Sequence, residues 1–199
     1  EWELYDINVD RSEQNDLSVK QPFQTKKLAQ MWQSYAERAN VLPLNPRSDK
    51  PSANNRKQKH FELKHGASLE SSKAPYLQKR GFVVQATANV TGDGVIAAQG
   101  GSNHGWSLYV QQGKLCFATT VSGKQTVAYS DTEIDGKVTI VATLSKSGQL
   151  TISVNGNPVT EVKLDGSLTT QPLEPLEVGS DSEGVVGKYE PPYALKGTV

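Results

Sequence analysis

The chain has 199 residues, 36% of them hydrophobic, and a mean hydropathy of -0.52, which fits one ordinary domain, alone or with an appendage. Its single cysteine, Cys116, excludes an intrachain disulfide and a cysteine-based metal site, and the neighbouring Leu115 and Phe117 favour a small buried residue. No stretch is apolar over the roughly 20 residues that a membrane span requires, so we expect no membrane partner.

The formal net charge is zero, but the two signs are unevenly distributed. Residues 1–80 hold 14 Lys and Arg against 10 Asp and Glu, whereas residues 81–199 hold 7 against 11. The excess is concentrated around residues 50–60, in Arg56, Lys57 and Lys59. We interpret residues 44–59 as a solvated basic linker. The alternative is a basic segment that binds a polyanion such as a sulfated polysaccharide. Because interleaved aromatic side chains are missing here, we expect no nucleic-acid partner.

Two elements are predicted near the N-terminus. Residues 2–7 alternate imperfectly between apolar and polar side chains, which predicts a short strand. Pro22 stands where a first helical residue would. One apolar stripe then predicts a helix of about eighteen residues. Its members are Leu28, Met31, Trp32, Tyr35, Ala36 and Ala39.

From Phe61 onward, short apolar-alternating runs are separated by turn signals about every eight to twelve residues, the pattern of an antiparallel β-sandwich. The predicted strands are 60–64, 81–89, 94–99, 106–111, 114–119, 125–131, 137–145, 150–154, 157–163 and 176–179. Two-residue turn signals lie at 112–113, 122–123, 135–136, 147–148 and 155–156. The last, Asn155-Gly156, is the most specific, because both residues of a type I′ turn need a positive φ.

The chain opens with Trp2-Glu3-Leu4-Tyr5-Asp6-Ile7 and continues through Asp10-Arg11-Ser12-Glu13 to Asn15-Asp16-Leu17-Ser18. This run resembles the closing motif of type I sulfatases, the formylglycine-dependent arylsulfatases, in which a last strand is followed by one terminal helix. The resemblance implies that residues 1–43 are the C-terminal strand and helix of such a hydrolase. We therefore expect the chain to be the C-terminal fragment of a larger, secreted or periplasmic enzyme, with the catalytic domain of the same parent chain as a partner.

Further motifs run through residues 57–199, chiefly 94–101, 105–110, 113–115, 135–137, 154–156, 178–181, 187–189 and 195–197. In order and spacing they resemble a laminin-G-like domain of the concanavalin-A-like lectin/glucanase superfamily. The resemblance implies a mainly β fold, an antiparallel jelly-roll β-sandwich over residues 60–199, of the kind that bacterial sulfatases carry at their C-terminus.

Two features depart from the laminin-G-like pattern. The Trp-His pair that often follows Asp-Gly-Lys is replaced at Val138 and Thr139, which removes a core tryptophan and keeps the strand pattern. The last strand normally continues for several residues beyond the position of Val199. Either further residues complete that strand or this domain is shorter than its relatives.

Catalytic motifs are missing from the sequence. Sulfatase chemistry needs C/S-x-P-x-R, and Cys116 is followed by Phe117-Ala118-Thr119 instead. The superfamily's glucanases need three carboxylates on one strand face, whereas Glu133-Ile134-Asp135 is followed by Gly-Lys. We expect the fragment to be catalytically inert, with no catalytic residue and no cofactor of its own.

Candidate ligand-binding residues cluster at Asn103, His104, Trp106 and Tyr109, since sugar sites combine aromatic planes with amide groups. Strand alternation places Trp106 with Leu108 on one face, which favours a core position, and places Tyr109 on the opposite, exposed face. Asp181, in a Gly-Ser-Asp-Ser-Glu-Gly run, is a weak Ca²⁺ candidate, because the resemblance implies Ca²⁺ at a loop rim; an Asx-turn role is the simpler interpretation.

The favoured hypothesis is a non-catalytic accessory part of a sulfatase whose β-sandwich binds or positions a polysaccharide. The alternative is a structural domain that packs on the sulfatase body or mediates oligomerisation. A free-standing lectin-like module is disfavoured, because Trp32 and Tyr35 on the helix need a partner surface.

Overall fold

The computed structural model describes residues 2–39, 56–164 and 167–199. The end of the predicted N-terminal segment and most of the basic linker at 44–59 lie outside the described residues. The chain divides into two compact units, Glu1–Arg47 and Ser48–Val199. The assignments of residues 1–43 to a sulfatase ending, 44–59 to a linker and 60–199 to a laminin-G-like domain stay predictions.

The N-terminal unit contains one helix, α1 (Pro22–Arg38), with proline in its first turn as predicted. The predicted strand at residues 2–7 is wrong: this segment is irregular and ends in a turn. It pairs with no strand among the described residues. Its backbone is held instead by Asp16, whose carboxylate accepts from the Leu4 amide at 2.9 Å, and by the Leu17 amide, which donates to the Leu4 carbonyl at 2.7 Å.

The apolar stripe of α1 is only partly covered. Ala36 is buried, and the Trp32 ring meets the Trp2 ring edge-on with centroids 5.3 Å apart. Met31 and Tyr35 remain 59% and 56% exposed. The helix therefore presents apolar side chains that the described residues leave open to solvent.

The second unit is a β-sandwich of two antiparallel sheets, so the predicted mainly β fold class is confirmed. The six-stranded sheet has the order β1-β10-β3-β4-β5-β6 and the five-stranded sheet the order β11-β2-β7-β8-β9. The strands are β1 (Ser68–Leu69), β2 (Phe82–Val90), β3 (Gly94–Gly100), β4 (His104–Gln111), β5 (Lys114–Val121), β6 (Lys124–Glu133), β7 (Gly136–Leu144), β8 (Gln149–Val154), β9 (Asn157–Lys163), β10 (Leu176–Val178) and β11 (Gly197–Thr198).

One predicted strand is missing at the edge of the six-stranded sheet, and an unpredicted strand lies there. Residues 60–64 form no strand: Gln58 donates to the His60 carbonyl at 3.0 Å, and His60 contacts Glu62 at 3.2 Å. The edge of the six-stranded sheet is instead the two-residue β1, which pairs with Leu176 and Glu177 of β10. Short edge strands offer little free backbone for unwanted pairing.

The tight hairpins follow the predicted turn chemistry at three places. Both turn residues have positive φ at Gln112-Gly113, Ser122-Gly123 and Asn155-Gly156, as a type I′ turn requires. At 135–136 and 147–148 only the glycine has a positive φ. These two connections are therefore of another type.

The main core lies between the sheets and is built from alternate residues of facing strands, among them Ile96, Leu108, Phe117, Ile140 and Ile152. Strands β3, β4 and β5 are unusual because they are buried on both faces. Their outer face carries a second apolar cluster that includes Tyr109, Cys116, Val186 and Tyr189. We call residues 184–193, which cover this face, the C-terminal strap.

Candidate functional site

One end of the sandwich gathers three segments that we call the hairpin rim: residues 101–104, 122–123 and 168–171. The Gly123 amide donates to the Asn103 carbonyl at 3.0 Å, and the Ser122 amide donates to His104 Nε2 at 3.3 Å. The Thr169 hydroxyl lies 3.4 Å from the same nitrogen. His104 therefore joins the hairpin before β4 to both neighbouring loops.

Two rim side chains keep polar groups that are free to bind a ligand. Because His104 Nε2 accepts the Ser122 amide hydrogen, the neutral ring carries its proton on Nδ1. Asn103 is exposed. In the described part of the chain, neither the Asn103 amide nor His104 Nδ1 has a hydrogen-bond partner. The rim thus offers an amide and an imidazole donor beside the exposed hydroxyls of Ser102, Ser122 and Thr169.

Trp106 lies in the main core, as the alternation predicted. It is 3% exposed, and its ring stacks on Phe117 with centroids 6.1 Å apart. It is therefore absent from the rim surface.

The prediction that Tyr109 is exposed is wrong, because its side chain is 0% exposed. The face to which it belongs is covered by the C-terminal strap, where Tyr189 packs edge-on against it with centroids 4.8 Å apart. Burial raises the pKa of Tyr109 well above its usual value. Local alternation gave the correct face, but a segment about eighty residues away along the chain decides whether that face meets solvent.

Polar side chains of the sheet tie the C-terminal strap to its outer face. Ser107 donates to the Val186 carbonyl at 2.7 Å, Gln111 to the Lys188 carbonyl at 2.7 Å and Gln125 to the Gly187 carbonyl at 3.2 Å. The strap approaches closely at Gly105, where an added Cβ would lie 2.6 Å from a Val186 methyl carbon. Over β3, β4 and β5 the strap thereby closes the outer face as a ligand platform, whereas Tyr129 on the same face of β6 remains 45% exposed.

Asp181 lies inside the loop that leads into the strap. It is 3% exposed, and its Oδ2 accepts from the Tyr189 hydroxyl at 2.6 Å. The pKa of Asp181 is raised to about 6, chiefly by burial and also by the nearby Glu177, while the hydrogen bond from the Tyr189 hydroxyl lowers it. Glu177 itself accepts from the Ser182 amide and hydroxyl, both at 2.5 Å.

These contacts show Asp181 as a tether for the strap. In the described ranges no group of three or more His, Cys, Asp and Glu is arranged to hold a metal ion. The Ca²⁺ role of Asp181 stays a prediction. Across the same ranges, no helix combines the length and apolarity needed to cross a membrane.

Sequence reasoning passed over Gln99, which occupies a core position of β3 beside Trp106 of β4. Both of its side-chain amide atoms and the Trp106 indole nitrogen are buried without a hydrogen-bond partner among the described residues. Buried polar groups of this kind are normally satisfied by an ordered water. In the sequence, the glutamine within an otherwise apolar strand was the feature that could have predicted a buried polar group here.

No protein-family model and no curated protein matches the chain. Among solved structures, it is similar to the mouse laminin alpha1 chain, domains LG4-5, with 17% identity, a TM-score of 0.49, and coverage of 71% of this chain and 38% of that chain. It is also similar to the heptameric SAP-like pentraxin from Limulus polyphemus, with 15% identity, a TM-score of 0.43, and coverage of 70% and 69%. A third is the binding domain of botulinum neurotoxin DC in complex with rat synaptotagmin II, with 13% identity, a TM-score of 0.43, and coverage of 49% and 27%. This chain spans well under half of the laminin chain.

Proposed function

We propose that the chain is the non-catalytic C-terminal part of a secreted or periplasmic sulfatase, and that its β-sandwich binds a polysaccharide for the parent enzyme. The observation that carries the binding function is the hairpin rim. There, the Asn103 amide, which is unpaired among the described residues, and an imidazole N–H from His104 stand among exposed hydroxyls. Carbohydrate hydroxyls both donate and accept, so a mixed rim of this kind suits them.

Two features of the first forty residues support the sulfatase parent. The motif at residues 2–18 resembles the sulfatase ending, and α1 follows it as in that ending, although residues 2–7 do not form its strand. The open apolar side chains of α1, with Met31 and Tyr35 more than half exposed, suit a helix that docks on a catalytic body.

The parent is tested by the coding sequence upstream of Glu1. A sulfatase parent requires C/S-x-P-x-R and an Asp/Asn cluster for Ca²⁺ there. An upstream sequence without C/S-x-P-x-R would show that the parent belongs to another class.

The binding function is tested by affinity electrophoresis of the whole chain through gels that contain neutral or sulfated polysaccharides. We expect retardation in at least one gel, and we expect Asn103→Ala to weaken it about tenfold, because a buried sugar hydroxyl then loses its partner.

The matched control is Asn89→Ala, an exposed asparagine on β2 of the five-stranded sheet. We expect this variant to migrate like the original chain in every gel. Equal migration in all gels with and without polysaccharide would favour the alternative function, a structural domain that packs on the parent or mediates oligomerisation.

A further inference from the structure

The second unit has a net positive charge only in its first stretch. Residues 56–80 hold seven Lys and Arg against two Glu, whereas residues 81–199 hold seven against eleven Asp and Glu. Such segregation creates a local positive potential that attracts polyanions.

Two arginines from separate parts of this stretch meet at one aromatic ring. The guanidinium carbons of Arg56 and Arg80 each lie 4.9 Å from the centroid of the Tyr76 ring. Arg80 Nη1 also donates to the Arg56 carbonyl at 3.4 Å. We call Arg56, Arg80 and Tyr76 the arginine pair site.

Among the described residues, the two guanidinium groups lack an acidic partner. Over residues 2–39, 56–164 and 167–199, no carboxylate lies within ion-pair distance of either one. The two glutamates of the stretch are engaged elsewhere: Glu62 with His60 at 3.2 Å, and Glu70 with Lys73 at 3.5 Å. Two neighbouring exposed guanidinium groups to which the described part of the chain supplies no counter-charge can bind an anion.

Hydrogen bonds next to the arginine pair site connect it to the hairpin rim. The Lys79 amide donates to the Leu168 carbonyl at 2.7 Å, and Gln78 donates to the Thr169 carbonyl at 3.2 Å. Thr169 also approaches His104 through its hydroxyl. The arginine pair site therefore adjoins the rim through Thr169.

We propose that the arginine pair site binds sulfate groups of the same polysaccharide whose hydroxyls the hairpin rim contacts. The proposal rests on the proposed carbohydrate-binding function and deepens it by naming a sulfated polymer as the ligand class. The planar guanidinium fork matches the oxygen geometry of a sulfate ester, as it matches carboxylate and phosphate.

The site suits other polyanions less well. Tyr76 is the aromatic ring of the site, and two guanidinium groups already lie over it at 4.9 Å, where they compete with a stacking base. Residues 56–80 present no exposed Trp, Phe or Leu, the side chains with which a protein inserts into a lipid surface.

The test measures the affinity of the whole chain for carrageenan and for the same carrageenan after chemical desulfation, by isothermal titration calorimetry at several salt concentrations. We expect tighter binding to the sulfated form. We expect the double variant Arg56→Gln, Arg80→Gln to lose about tenfold or more of that affinity and to show a shallower salt dependence.

The matched control is Lys137→Gln, Lys188→Gln, which removes two exposed positive charges elsewhere on the sandwich. It should bind like the original chain, and thermal unfolding should show both double variants folded. A second pair, Arg56→Lys, Arg80→Lys, keeps the charge but loses the planar fork, and we expect an intermediate affinity.

Unchanged affinity in the Arg→Gln variant would overturn the proposal, and so would equal affinity for the desulfated polymer. If Asn103→Ala then still weakens binding, the carbohydrate function stands without the arginine pair site. Equal affinity for single-stranded DNA, lost in the same variant, would instead make the site a nucleic-acid surface. No binding to either form of the polymer would remove both proposals.

Discussion

At the scale of single residues, Asp181 shows how burial sets a side chain's behaviour. Its carboxyl group is withdrawn from water and held by Tyr189, so burial raises its pKa from the ordinary 3.8 to about 6. The folded chain therefore holds a proton there at a pH at which the unfolded chain releases it. The group favours folding below about pH 4, and that contribution is lost as the pH rises to about 6.

We expect Asp181→Asn to remove this pH dependence, because asparagine does not ionise and its carbonyl still accepts from Tyr189. The free energy of unfolding of the variant, relative to the original chain, should rise by about 3 kcal/mol between about pH 4 and pH 7. Urea unfolding across that range measures the difference.

Asp135→Asn, at an exposed carboxyl group between β6 and β7, is the control and should leave the pH profile unchanged. A stability difference between Asp181→Asn and the original chain that stays constant with pH would contradict the account of Asp181.

At the scale of elements, the C-terminal strap decides which face of the six-stranded sheet meets solvent. It buries Val186 completely and packs Tyr189 on Tyr109. Three side-chain hydrogen bonds from β4 and β6 hold its backbone carbonyls in place. The strap therefore contributes a second, smaller core to the sandwich.

Two valine-to-alanine changes test how much this second core contributes to the free energy of unfolding. Val186→Ala removes two buried methyl groups beneath the strap, and we expect it to lower the free energy of unfolding by about 2 kcal/mol. Val83→Ala makes the same chemical change at a side chain that is 61% exposed on β2, and we expect a change within about 0.5 kcal/mol. If urea unfolding shows the same loss of unfolding free energy in both variants, the strap does not form a second core.

Elements whose cause is local were predictable from the sequence. Pro22 and the apolar stripe gave α1, and Asn155-Gly156 gave its hairpin, because φ preference and helical spacing act over a few residues. Elements that depend on distant partners were not. The segments 2–7 and 60–64 alternate like strands but have no neighbouring strand with which to pair in the described structure.

The candidate site was predictable only in part for the same reason. The ligand-binding role of Asn103 and His104 stays a prediction; the structure places them at the hairpin rim, whose other members come from residues 122–123 and 168–171. Tyr109 was misplaced because alternation cannot reveal a covering strap. Arg56 and Arg80 are 24 positions apart, and only the fold brings both to Tyr76.

At the scale of the whole molecule, each unit has a surface that the described residues leave without a binding partner. In the N-terminal unit it is the apolar stripe of α1, and in the sandwich it is a positively charged stretch beside a polar rim. We interpret the first as a docking face for a catalytic body and the second as a polysaccharide site. Under the proposed function, the two surfaces would let the chain hold substrate for a reaction carried out elsewhere in the parent.

The non-catalytic binding role can be measured in one sample, in which the whole chain is incubated with a sulfated polysaccharide and both bound polymer and released inorganic sulfate are quantified. We expect saturable binding that falls with added salt, and no release of sulfate above the protein-free blank. Release of sulfate in proportion to chain concentration would contradict the non-catalytic role, and absence of binding across a panel of sulfated polysaccharides would contradict the binding role.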